Sequence, residues 1–95
     1  MLDWEGDQGI DWVNEFVRVV HDQTGIWPWI YANPWRFNQG GVEPNCMRWI
    51  ASYPDVLRPG LDFDPGEPPE TDGLVGCWQY ASDGQVPGYA GNLDV

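Results

Sequence analysis

The chain contains no lysine. Its bases are four arginines and a single histidine, set against 15 acidic residues, for a net charge of −11. Nucleic-acid binding needs a basic footprint to replace counterions on phosphates, so this composition excludes a phosphate-tracking role. An acidic surface is also repelled by anionic membranes. No apolar run approaches the roughly 18 residues that a spanning helix needs, so no membrane insertion is expected. The start of the sequence shows no basic segment followed by an apolar stretch, and no secretory signal is read there.

Other shortages narrow the chemistry. The lone His21 has no evident serine or cysteine partner, which argues against a triad or a Cys-His nucleophile. It is read instead as a cation at a helix C-terminus. Cys46 and Cys77 lie far apart without a CxxC or a neighbouring histidine, so a zinc site is not expected. They are read as two buried thiols, with one disulfide as the alternative. The 12 glycines fall in turns, with no GxGxxG and no GK[ST], which leaves no phosphate loop. Neither a metal nor a cofactor is called for.

What the chain does have is aromatic and apolar mass: 42% hydrophobic residues, with seven tryptophans and four tyrosines among 95 residues. That is too apolar for a disordered polyanion, and the length suits one small domain over residues 1–95. In "GDQGIDWVNEFVRVVHDQTG", Ile10, Val13, Val17 and Val20 recur at helical spacing, and Trp12, Phe16 and Val19 widen the apolar face. This predicts a helix from about residue 10 to about residue 23, with Asp7 and Asp11 near its start and Gly25 as its stop. Trp12, Phe16 and Trp27 are expected in the core.

Three later stretches, "GIWPWIYAN", "MRWIASYP" and "GLVGCWQYAS", combine β-branched and aromatic residues between turn signals and predict strands. Alternation in the first places Trp27, Trp29 and Tyr31 on one face. "PWRFNQGGVEPN" reads as a short helix or a loop, and "PGYAGNLDV" as one last short strand. Strands separated by crossovers imply parallel pairing and an α/β class. The segment from about 54 to 73 holds five prolines and six acidic residues, too broken for a helix or central strand, and is expected to be a long surface loop. Its "DFDPG" is a poor calcium loop, because Gly66 stands where an oxygen ligand would be needed. Asp62 and Asp64 are read as solvated.

The opening "LDWE" is the stretch with chemical promise. In a strand, residues two apart point the same way, so Asp3 and Glu5 share a face while Leu2 and Trp4 take the other, with the carboxylates about 6 to 7 Å apart. Two crowded carboxylates raise the pKa of at least one, and a protonated Glu can act as general acid on a sugar. The plainer reading of a bare D-x-E in an acidic chain is a solvated pair. Aromatic faces with polar tips suit a sugar groove. "WQY" at 78–80 and "IYAN" at 30–33 end their strands before turns, where α/β proteins place ligand contacts, so both binding and core remain open there.

Taken in order, "LDWEG", "WIYAN", "RWIASYP" and "GCWQYASDGQVPGYAGNLDV" resemble the family 25 glycoside hydrolases, the lysozymes of many phage endolysins and bacterial autolysins. The resemblance runs over nearly the whole chain and implies the C-terminal half of a modified β/α barrel, beginning at the equivalent of barrel strand 4. It implies hydrolysis of the β-1,4 bond between N-acetylmuramic acid and N-acetylglucosamine in peptidoglycan, without metal or other cofactor. By position, Glu5 resembles the general acid, Asp3 the assisting carboxylate and Asp94 the aspartate at the end of the last strand. Tyr31, Tyr53, Trp78 and Gln79 match groove positions. The implied setting is the cell wall or extracellular space, reached by phage-type release from the cytoplasm. The expected partners are peptidoglycan glycan strands, together with a second copy or a complementary N-terminal half chain that completes the barrel and restores activity. The alternative is a catalytically silent glycan-binding or assembly fragment, such as a truncated prophage remnant.

Overall fold

A computed structural model of the chain describes residues 1–53, 66–82, 84, 87–88 and 90–95. Asp62 and Asp64, and most of the acidic proline-rich segment, lie outside the described residues. The elements are β1 (Leu2–Asp3), α1 (Ile10–Thr24), β2 (Ile30–Ala32), α2 (Pro34–Asn38), β3 (Arg48–Ala51) and β4 (Val75–Gln79). The four strands form one parallel sheet in the order β1-β2-β3-β4. The α/β class and parallel pairing expected from the crossovers are therefore present. No described helix is long and apolar enough to cross a membrane.

Helix α1 begins after Gly9 and carries Asp11 in its first turn, where a negative charge opposes the helix dipole. It stops at Gly25, whose φ of 74° lets its N–H turn back to the His21 carbonyl at 2.7 Å. His21 stacks flat on Trp27, ring centres 4.0 Å apart. Strand β2 is shorter than "GIWPWIYAN" suggested. Pro28 has no N–H to give a ladder, and pairing starts only at Ile30. Helix α2 follows at once, with Pro34 in its first turn.

Strand alternation sorts the sheet into two unlike faces. Leu2, Ile30, Ala32 and Ile50 are buried against Val13 and Val17 of α1 and Phe37 of α2. The opposite face carries the register row Asp3, Tyr31, Trp49 and Cys77, and no described helix covers it. Strands taken strictly in sequence order put every crossover on the same side when the crossovers share one hand, which is why both helices lie on one face. Arg48 is buried on the helix side and donates to the carbonyls of Glu43, Cys46 and Asp72.

Three expectations need correcting. Trp12 and Phe16 are 49% and 38% exposed. They stack on each other at 5.4 Å on a second stripe of α1, turned away from the Val13–Val17 line that meets the sheet. Trp27 does pack against the core, whereas Trp29, expected on its face, is exposed. The closing "PGYAGNLDV" does not add a strand among the described residues. Leu93 makes an isolated antiparallel bridge with Gly84, and Val95 pairs with Tyr80 and Ala81. The chain thus folds back onto the end of β4.

Candidate carboxylate cleft

The open face of the sheet leads into a cleft of about 600 Å³ whose wall includes Asp3, Glu5, Tyr31, Trp49, Gln79 and Asp94. Its lining runs across the open face, from Trp49 and Cys77 within the strands to Glu5 and Tyr53 past the C-terminal ends of β1 and β3, the ends at which α/β sheets place ligands. A second hollow of about 390 Å³ shares Glu5, Tyr31 and Tyr53 with it and continues past Asn33, Trp35 and Ser52. Glu5, Tyr31 and Tyr53 therefore border both hollows.

Asp3 ends β1, and both it and Glu5 are exposed. Beyond Asp3 the chain leaves the strand, held by Trp4, which is buried and donates its indole N–H to the Gln8 carbonyl at 2.8 Å. Glu5 lies just past the strand end, with its carboxyl hydrogen-bonded to that of Asp3. That hydrogen bond is the largest cause of a raised Glu5 pKa. Desolvation and the Asp3 charge add to it, Asp94 adds a little more, and Arg36 opposes it.

The backward fold of the C-terminal segment delivers Asp94 to the same cleft, although it stands at the far end of the sequence. The tyrosines and Gln79 form a linked set. Tyr31 Oη donates to Gln79 Oε1, and Gln79 Nε2 donates to Tyr53 Oη at 3.0 Å and to the Ala81 carbonyl at 3.3 Å. Desolvation, followed by the negative groups around it, pushes the Tyr31 phenol up to about 12.

Gln79 reaches this position through an irregularity that alternation could not anticipate. Arg48 pairs with Val75, yet Trp49 pairs with Cys77, so Gly76 is an extra residue in β4. One extra residue exchanges the faces of everything after it, turning Cys77 and Gln79 to the cleft. Trp78 is turned to the core side. It packs partly against the hydrophobic cluster and bonds the Ser52 carbonyl at 2.7 Å, while its edge still reaches the cleft wall.

All seven candidate residues, Asp3, Glu5, Asp94, Tyr31, Tyr53, Trp78 and Gln79, therefore line one cleft. Two contributors were not anticipated. Trp49 lies opposite Tyr31 at 5.8 Å, edge to face; its alternation with the apolar Ile50 in "RWIAS" was the available signal. Arg36 stands behind Glu5 and had no signal in its own segment. The two cysteines are free. Cys46 belongs to the core cluster and Cys77 to the open face, so the sheet stands between them; burial pushes the Cys46 thiol up to about 11. Among the described residues no group of three or more potential ligands could hold a metal ion. No family model, curated protein or solved structure matches the chain.

Proposed function

We propose that the chain is part of a peptidoglycan-degrading lysozyme, an N-acetylmuramidase of the family 25 type. In this reading Glu5 is the general acid, and Asp3 and Asp94 are the carboxylates beside it. The observation that carries it is the shared placement of Asp3, Glu5 and Asp94 in one aromatic-walled cleft, with Glu5 biased toward its protonated form. Cleavage of a glycosidic bond uses a pair of carboxyl groups, one of which gives a proton to the leaving oxygen, and a raised pKa favours Glu5 for that part. Tyr31, Trp49 and Tyr53 supply ring faces and hydroxyls for sugars, and Glu5 borders both hollows.

The strictly sequential strand order, with helices on one face, is how a β/α barrel is wound. On this reading the open face is the barrel interior, and β1 and β4 are the edges where further strands pair. A second copy or a complementary chain supplies those strands, and the enzyme works at the cell wall. A second reading, glycan binding without hydrolysis, is favoured by one observation: Asp3, Glu5 and Asp94 are all solvent-exposed, and catalysis gains most where water is excluded.

The deciding experiment is release of reducing sugar from purified peptidoglycan by the chain, beside Glu5→Gln. Release that disappears in the variant supports the enzyme. Glycan binding with no release by either protein supports the silent module.

A further inference from the structure

Arg36 has the most unusual surroundings of any cation among the described residues. It projects from α2, the helix that follows β2, and crosses to the segment after β1. There its Nη2 donates to the carbonyls of Glu5 at 3.1 Å and Gly6 at 3.0 Å. The guanidinium carbon lies 5.2 Å from the centre of a Trp4 ring and 4.9 Å from the centre of a Trp35 ring. Arg36 Nε is buried and has no hydrogen-bond partner. No carboxylate lies within ion-pair distance among the described residues. An arginine that only needed solvation would turn its fork to water. This one leaves a donor unpaired while it lies against two indoles and holds two backbone carbonyls.

We propose that Arg36 is a positioning residue for the acid pair, clamped by Trp4 and Trp35 so that its grip on the Glu5 and Gly6 carbonyls sets the direction in which the Glu5 carboxyl leaves the chain. The inference rests on the lysozyme reading for its catalytic meaning but not for its physical content. The Glu5 backbone is otherwise only one residue past the last ladder bond of β1, which Trp4 N–H makes to the Tyr31 carbonyl at 2.8 Å. A side chain just past the end of a strand needs an external hold if it is to keep one geometry, and misplacement of a catalytic group by about 1 Å can cost about 100-fold in rate. Among the described residues Arg36 also contributes the positive charge acting on Glu5, against Asp3 from β1 and Asp94 from the closing segment. Tyr31 faces the same space from β2.

The test uses the full chain with Arg36→Gln, Arg36→Lys and Trp35→Leu, the last at a 60% exposed position that leaves the core intact. Carbon-13 NMR follows the Glu5 carboxyl through its titration, and peptidoglycan hydrolysis is measured as kcat and KM. With Arg36→Gln the Glu5 midpoint moves up, and with Trp35→Leu it moves up by less. With Arg36→Lys the midpoint stays close to the parent's, while kcat falls about 10- to 100-fold at little-changed KM, because the charge remains and the two-carbonyl grip is lost. A Glu5 midpoint that is unmoved in both Arg36→Gln and Trp35→Leu overturns the proposal, as does a full kcat in Arg36→Lys. If the parent chain releases no sugar, hydrolysis by this chain alone is ruled out, and the proposal is decided by the Glu5 and Gly6 amide and carbonyl shifts together with the titration: shifts unchanged in Arg36→Lys overturn it.

Discussion

The Tyr31 hydroxyl on β2 donates to the side-chain carbonyl of Gln79 on β4, reaching over the intervening β3. Through Gln79 the contact extends to Tyr53, so one buried amide fixes two phenols on the cleft wall. Three segments that the sequence keeps apart are thereby held as one surface.

Tyr31 titrates late. Its folded value is about 12 against an ordinary 10.0, so its contribution to stability is complete below pH 10 and is lost as pH rises through about 12. Phenolate absorbance will show a phenol that ionises only as pH approaches about 12. Gln79→Ala leaves the Tyr31 hydroxyl without its acceptor and costs about 1–3 kcal/mol, read from the urea midpoint.

Glu5 behaves in the opposite sense to a salt-bridged carboxylate. Its raised pKa means that the folded state holds this proton more tightly than the unfolded chain does. The resulting stability is present below the ordinary carboxylate range and is lost as pH rises through the raised value. Glu5→Gln should raise the melting temperature at neutral pH and leave it nearly unchanged in acid. A variant that melts lower at neutral pH contradicts the Asp3–Glu5 repulsion.

Arg48 is a structural cation. Its guanidinium gathers the 42–46 turn and Asp72, lies 5.2 Å from the centre of the Phe37 ring, and has its pKa lowered by burial. Arg48→Leu leaves several carbonyls unpaired and should cost about 2–5 kcal/mol. Gly73, at φ 102°, presses against this guanidinium, and a Cβ there would collide with it. Gly73→Ala should therefore destabilise as well, and chemical denaturation measures both.

The two stripes of α1 predict unequal costs. Val17, fully buried, should lose about 1–3 kcal/mol on change to Ala. Trp12→Ala, despite removing a far larger side chain, should cost about 0.5–1 kcal/mol, since only its stacking on Phe16 is lost. Equal losses in thermal unfolding would place Trp12 in the core after all.

The cysteines provide a probe of the cleft. With its thiol at about 11 and its side chain in the core, Cys46 should resist alkylation in the folded chain. Cys77, half-buried on the cleft wall, should react first. Peptide mapping after brief alkylation distinguishes them, and soluble glycan fragments should slow the Cys77 reaction if they occupy the groove.

Much of this molecule is local and was therefore legible in the residues. The Ile10–Val20 spacing specified α1 almost to its ends, because helix periodicity and a glycine stop are properties of the segment itself. The strand runs and their parallel pairing follow from alternation and from crossovers too long for hairpins, whereas Glu5 lies past the end of β1 and meets Asp3 outside the ladder. Tertiary structure decided the rest. The slip at Gly76 chose which of Trp78 and Gln79 faces the cleft, and sheet register responds to packing across strands rather than to any one strand's pattern. The fold-back of Val95 onto Tyr80 and Ala81 brought Asp94 to the cleft that holds Glu5. The contacts of Arg36 with the Trp4 ring and the Glu5 and Gly6 carbonyls joined two segments far apart in sequence. Each depends on chain closure over long separations, where the entropy of bringing segments together is recovered only by contacts that form when the whole sheet is in place.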